Sequence, residues 1–105
     1  MLYFLTYHNS SFCMGDFNEI CHRGEKAGGG ERPEWQMKAF SSAINKSKLR
    51  DLGFVGPEFT WSRRLGRRGW VRERLDRALV SPNWTSLFPQ VECITWLPIL
   101  RTTIC

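Results

Sequence analysis

An aspartate and an asparagine follow an apolar run near the start of the chain, in the segment "FCMGDFNEI" (residues 12–20). Strands disfavour Asp and Asn while turns accept them, so Asp16 and Asn18 are predicted to lie where a strand ends. If the strand continued through them, both side chains would project to the same side. A carboxylate can accept a proton or bind Mg²⁺, and an amide can hold a phosphate. A turn closed by an Asx hydrogen bond explains the same spacing, so both interpretations stay open.

A second candidate carboxylate, Asp76, lies inside the strand-like run "ERLDRALV". A carboxylate that is buried in a sheet needs a partner. That partner can be a cross-strand arginine, which would make Asp76 structural. The alternative is that Asp76 takes part in catalysis.

The basic residues of the chain are concentrated in one segment. The net charge is +5 and the isoelectric point is near 9.4. The arginines of this segment are Arg63, Arg64, Arg67, Arg68, Arg72, Arg74 and Arg77. Only Glu73 and Asp76 oppose them there, so the segment is predicted either to bind a polyanion or to form a solvated, arginine-rich hairpin.

Two tryptophans, Trp61 and Trp70, flank the basic turn. An aromatic side chain beside arginines can stack on nucleic-acid bases. Tryptophan is more often a core residue, which is the alternative.

Length and composition restrict the class of protein. A chain of 105 residues forms at most one domain, and 42% hydrophobic residues with five tryptophans argue against disorder. The cysteines are Cys13, Cys21, Cys93 and Cys105. Their spacing matches no zinc motif, so we expect reduced intracellular thiols. The apolar run at residues 2–5 is too short for a signal peptide or a membrane span.

The remaining pattern predicts an α+β fold. After the first strand and a glycine-rich loop, apolar spacing predicts a helix over residues 33–48. The segments "EFTWSRR" and "WVRERLDRALV" are predicted to be two extended runs joined by a basic turn. Ser81 is predicted to cap a short helix, which ends at Phe88 and Pro89 and precedes a strand, "VECITWL".

Five segments in order, "CMGDFNEI", "GEKAGG", "DLGFVGPEFTWSRR", "ERLDRALVSPNW" and "FPQVECITWLP", resemble the endonuclease/exonuclease/phosphatase superfamily. The resemblance is strongest to the endonuclease domains of plant LINE-type non-LTR retrotransposons. It covers residues 12–98 and implies part of a four-layered α/β sandwich of the DNase I type. Residues 1–11 would then be a divergent N-terminal segment, and residues 99–105 a divergent tail.

The resemblance also implies roles for single residues. Asp16 would position or deprotonate the attacking water, and Asn18 would hold the scissile phosphate. The same two residues would contact Mg²⁺ or Mn²⁺. Asp76 would orient a catalytic histidine. Nucleic acid would be contacted by Trp61, Arg63, Arg64, Arg67 and Arg68, with Phe59 in the same stretch.

The chain departs from the family pattern after "WLP". The family carries a Ser-Asp-His motif shortly after that point, whereas this chain reads "ILRTTIC", and His8 and His22 lie elsewhere. The first half of the family domain, with a metal-binding glutamate, has no counterpart. We therefore expect a truncated, retrotransposon-derived nuclease that is inactive in isolation.

Two alternatives remain at this point. The first is a non-catalytic, basic fragment that binds nucleic acid, and the second is a polypeptide that does not fold stably. The intact ancestor would act on DNA in the nucleus and have no membrane partner. The sequence leaves the oligomeric state open.

Overall fold

The structure is a computed structural model that describes residues 2–96 and 99–103. Within these residues the chain forms strands and helices in a mixed order. The strands are β1 (Leu2–Tyr7), β2 (Ser10–Asp16), β3 (Lys26–Ala27), β4 (Arg50–Asp51), β5 (Trp61–Arg64), β6 (Trp70–Glu73), β7 (Asp76–Val80), β8 (Glu92–Trp96) and β9 (Ile99–Thr103). The α-helices are α1 (Glu34–Lys46) and α2 (Trp84–Leu87). The predicted α+β combination of helices and strands is confirmed, and the paired strands of each sheet are antiparallel.

The largest sheet carries the first candidate residues. Its strand order is β1-β2-β7-β4, and all neighbouring strands are antiparallel. The pairing of β2 with β7 runs from Phe12 opposite Val80 to Asp16 opposite Asp76. Strand β1 forms an exposed edge. The predicted strand end before Asn18 is confirmed, because β2 ends at Asp16.

A second sheet has the order β3-β6-β5, and β8 pairs with β9 in a third. The prediction of one extended run from residue 70 to residue 80 is wrong. The chain changes sheets at Arg74 and Leu75, between β6 and β7. Leu75 packs with Ile20 and Met37 in a small apolar cluster, and the Arg74 side chain enters a buried ion network. These two side chains turn the strand out of the second sheet and into the first.

Helix α1 confirms the predicted helix over residues 33–48 to within two residues at each end. Its Met37 is buried against Ile20 and Leu75, which fixes the helix beside the loop that follows β2. The main core lies on the other side of the large sheet and is centred on Trp84, whose ring lies 5.2 Å from that of Phe12.

The predicted cap of the short helix is wrong. Helix α2 begins at Trp84, with Asn83 rather than Ser81 at its N-cap position. The Ser81 hydroxyl instead accepts a hydrogen bond from the backbone N–H of Ser11 at 2.9 Å. No helix in the described part of the chain is long and apolar enough to cross a membrane.

A buried ion network joins the loop after β2, strand β4 and the segment in which β6 leads into β7. Glu25 accepts hydrogen bonds from Arg77 Nη2 at 2.7 Å and from Arg74 Nη1 at 2.9 Å. Asp51 accepts from Arg74 Nη2 at 2.9 Å and from Arg77 Nη1 at 3.0 Å. Glu25 also accepts from the backbone N–H of Cys21 at 2.7 Å. Glu25, Arg74 and Arg77 are each buried, so their charges depend on one another for compensation.

The network sets the ionisation of its carboxylates. Burial raises the pKa of Glu25, but hydrogen bonds from Arg77 and from the Cys21 N–H outweigh burial. Burial likewise raises the pKa of Asp51, and Arg74 outweighs it. Both pKa values therefore lie below their ordinary values, and the carboxylates stay charged in the folded protein at neutral pH.

Replacing Glu25 by Gln is expected to lower the free energy of unfolding at pH 7 by about 3–5 kcal/mol, because two buried guanidinium groups lose their shared carboxylate. A carboxylate with a lowered folded pKa stabilises above its unfolded pKa and loses this contribution as pH falls. The gap between wild type and E25Q should therefore narrow below pH 4.5, the ordinary pKa of Glu25. Urea unfolding at a series of pH values measures this gap.

Glu34 is the matched control, since its carboxylate is 64% exposed and, among the described residues, pairs only with Lys38 on the helix surface. E34Q should change stability by less than about 0.5 kcal/mol. Equal effects of E25Q and E34Q would contradict a structural role for the network.

Candidate active site

Asp16 and Asp76 are direct cross-strand partners at the end of the β2–β7 ladder. Side chains of directly opposed residues project to the same face, with Cβ atoms about 4.5–5.5 Å apart. Asp16 is exposed and Asp76 is half-buried. Neither carboxylate forms an ion pair with a described residue. The interpretation of Asp76 as the partner of a cross-strand arginine is therefore wrong, because its partner is Asp16.

Asn18 is brought to Asp16 by a turn. The Asn18 N–H donates to Asp16 Oδ1 at 2.7 Å, so the Asx turn considered for this motif is present. Asn18 has a φ of +53°, in the left-handed region that Asn accepts more readily than most residues. Because β2 ends at Asp16, strand alternation does not place Asn18. The turn places the two residues side by side instead.

The backbone of Asp76 is held by a residue that the sequence analysis did not identify. Thr60 Oγ1 accepts hydrogen bonds from the N–H groups of Leu75 and Asp76, at 3.1 and 3.0 Å. The Leu75 carbonyl accepts from the Phe17 N–H at 2.9 Å. These bonds fix the start of β7 against the turn that follows β2. A threonine within "EFTW" is common in strands and gives no separate signal for this role.

The seven arginines of the basic segment divide into two groups. Arg74 and Arg77 are buried in the ion network and are not available to a ligand. The exposed members are Arg63, Arg64, Arg67, Arg68 and Arg72. In the described part of the chain, no acidic side chain forms an ion pair with any of these five. Their positive charge faces solvent.

The tryptophans beside the basic turn are both exposed, at 38% for Trp61 and 50% for Trp70, so the core interpretation is wrong. They lie on opposite faces of the β5–β6 hairpin. Trp61 is opposite Glu73 and lines a cavity of about 360 Å³, together with Arg63. Trp70 is opposite Arg64 on the other face.

The described residues contain no group of three or more His, Cys, Asp or Glu side chains placed to hold a metal ion. Mg²⁺ usually takes one or two protein carboxylates and completes its shell with water and substrate phosphate oxygens. The exposed carboxylate of Asp16 fits a site of this kind. An amide oxygen from Asn18 is chemically compatible with it.

Replacing Asp16 by Asn is expected to raise the free energy of unfolding by about 0.2–1 kcal/mol in metal-free buffer, because it removes one of two like charges that face each other across the strands. The asparagine oxygen can still accept the Asn18 N–H. Thermal unfolding with a chelator present measures the change.

Glu58→Gln removes a negative charge from another exposed position and serves as the control. A D16N protein that is less stable than the wild type, with E58Q unchanged, would contradict repulsion between Asp16 and Asp76.

Comparison with protein-family models matches residues 4–94 to the Endonuclease/Exonuclease/phosphatase family. The match spans well over half of the chain and includes Asp16, Asn18 and Asp76. Comparisons with curated proteins and with solved structures found no match. The chain belongs to the Endonuclease/Exonuclease/phosphatase family.

Proposed function

We propose that this chain carries part of a divalent-metal-dependent phosphodiesterase site that acts on DNA, of the kind found in LINE-type retrotransposon endonucleases. The observation that supports this proposal most directly is that Asp16, Asn18 and Asp76 lie together where β2 ends and β7 begins. Strand pairing brings Asp76 opposite Asp16, and the Asx turn brings Asn18 beside it. Family membership and the sequence resemblance support this assignment.

In this proposal Asp16 and Asn18 each act on the substrate in addition to holding the cation, and Asp76 has a separate task. The Asn18 N–H occupies Oδ1 of Asp16 and leaves Oδ2 as the oxygen that accepts a proton from the attacking water. The side-chain amide of Asn18 holds a phosphate oxygen without adding negative charge. Asp76 orients the group that protonates or stabilises the leaving oxygen, and its own backbone is fixed by Thr60.

Asp16, with Asn18, would hold Mg²⁺ or Mn²⁺ in this site. When bound, the cation supplies stabilisation of the charge that develops on the phosphate. A bound cation would also compensate the charges of Asp16 and Asp76, which lack a basic partner among the described residues.

The histidine that Asp76 would orient is not supplied by His8 or His22. The ring of His8 lies 4.3 Å from that of Tyr7, in the turn after β1. His22 Nε2 lies 3.8 Å from Glu25 Oε2 in the ion network. Residues that act as a unit lose most of their activity together, so we expect hydrolysis far below that of a complete enzyme. Truncation and retrotransposon origin stay predictions from the resemblance, and so do the four-layered sandwich and the nuclear location.

Hydrolysis of supercoiled plasmid DNA tests the proposal. We expect slow nicking that requires Mg²⁺ and a loss of about 10²-fold in D16A, as for removal of a general base. D76A should lose less, because neither His8 nor His22 is placed where Asp76 would orient it. The exposed Glu58→Ala variant is the matched control and should nick at the wild-type rate. Equal rates for wild type and D16A, or nicking that persists with a chelator, would remove the catalytic assignment.

A second candidate function is the binding of single-stranded nucleic acid by the β5–β6 hairpin without catalysis. The observation that favours it is an exposed face on which Trp70 is opposite Arg64 and Arg72 is opposite Ser62. Arg67 and Arg68 lie exposed in the turn beyond this face. Stacking of a base on Trp70 and phosphate contacts from the arginines would act together there.

Binding of a fluorescent oligo-dT, measured over a range of salt concentrations, tests this second function. Each arginine that contacts a phosphate should contribute about 0.7 to the slope of log K against log salt, so R64Q and R72Q should each lower the slope by that amount. W70A should lose about 1–3 kcal/mol of binding free energy.

Trp61→Ala is the control, because Trp61 lies on the opposite face of the same hairpin. Affinity that does not depend on salt would exclude this function. Equal losses in W70A and W61A would exclude this face as the binding surface.

A further inference from the structure

The side chain of Arg32 joins the turn after β2 to strand β6. Its Nε donates to Glu73 Oε1 at 3.1 Å and its Nη2 donates to Glu73 Oε2 at 2.8 Å, which is a bidentate ion pair. Its Nη1 donates to the backbone carbonyl of Asn18 at 3.3 Å and lies 3.3 Å from Glu19 Oε1. One planar group therefore contacts both the sheet and the candidate active-site turn.

The Glu73 end of this connection is rigid. Glu73 is 4% exposed, lies in β6 and also pairs with Lys26 Nζ at 3.2 Å. Hydrogen bonds from Arg32 lower the pKa of Glu73, so its carboxylate is charged at neutral pH. A guanidinium bound through two parallel hydrogen bonds has a fixed orientation, which directs Nη1 at Asn18.

Asn18 is the less constrained end of this connection. Its backbone is in the left-handed region, at a φ of +53°, and it is exposed to solvent. Its N–H is held by Asp16 and its carbonyl by Arg32. Without the second bond, Asn18 itself keeps only the short-range hydrogen bond to Asp16, and the nearest long-range bond of the turn is that from the Phe17 N–H to the Leu75 carbonyl.

We propose that Arg32 is a positioning residue that holds Asn18 in place for phosphate binding. The catalytic meaning of this role rests on the function proposed above. The role requires arginine, because a lysine ammonium is a point charge that can pair with Glu73 but does not reproduce the fork that also reaches Asn18. The conformation of the loop that contains Arg32 requires glycine at position 28. There φ is +78°, and a Cβ atom would collide with the Trp70 carbonyl.

Amide hydrogen exchange followed by NMR tests the positioning role directly. In R32Q we expect the Asn18 N–H to exchange about tenfold faster than in the wild type, as for the loss of one supporting hydrogen bond. Lys26→Gln is the matched control, since it removes the other cation on Glu73 but no contact with Asn18. Exchange at Asn18 should be unchanged in K26Q.

Two results would overturn the proposal: unchanged Asn18 exchange in R32Q, or equal acceleration in R32Q and K26Q. If R32Q does not fold, R32K makes the same comparison, because lysine keeps the ion pair with Glu73 and loses the bond to Asn18. Faster Asn18 exchange in R32K than in K26Q then supports the proposal, and equal exchange contradicts it.

Plasmid nicking with Mg²⁺ separates positioning from general stability. R32Q should lower the rate as much as N18A does, and the double variant should be no slower than N18A alone, because both changes remove one function. Additive losses would contradict positioning through Asn18. If N18A nicks at the wild-type rate, the proposed role of Asn18 is wrong, while the exchange measurement still decides whether Arg32 fixes it.

Discussion

The buried carboxylate of Glu25 is the constraint on which the rest of the structure depends. It binds two arginines that both come from the β6–β7 segment, and Asp51 completes the group from β4. An isolated charge is costly in a protein interior, so each of these side chains can be buried only when it is paired with the others. Any arrangement that separates one member leaves buried charge uncompensated, so the network favours the arrangement in which the loop after β2, strand β4 and the start of β7 meet.

This arrangement explains why the candidate active site is acidic inside a basic segment. The nearest arginines in sequence to Asp76 are Arg74 and Arg77, and both are directed at Glu25 and Asp51. Asp76 therefore faces Asp16 without a basic partner in the described chain. A pair of uncompensated carboxylates is unfavourable for folding alone and suited to a cation or to proton transfer, which is the usual conflict between stability and function.

The sequence was sufficient for features that depend on nearby residues. Apolar spacing located helix α1, and the Gly-Asp-x-Asn pattern located both the end of β2 and its Asx turn. The sequence was insufficient where a residue far away in the chain determines the local structure. The change of sheets at Arg74 depends on carboxylates at positions 25 and 51, and Ser81 is diverted from the helix cap by the backbone of Ser11. The placement of each tryptophan depends on the β5–β6 register, which composition does not contain.

The buried ion network and the Arg32–Glu73 ion pair hold the same loop at its two ends. Glu25 attaches the first part of the loop to Arg77, and Arg32 attaches the last part to Glu73, so the glycine-rich stretch between them spans two anchored points. Both anchors belong to the continuous segment of β6 and β7, which also contains Asp76. Ion pairs on either side of the sheet change thus add to the strand pairing and the Asx turn in fixing the relative positions of Asn18 and Asp76. A shift of β6 against β7 would move Asn18, through Arg32, relative to Asp76, so the geometry of the site depends on the bend at Arg74 and Leu75.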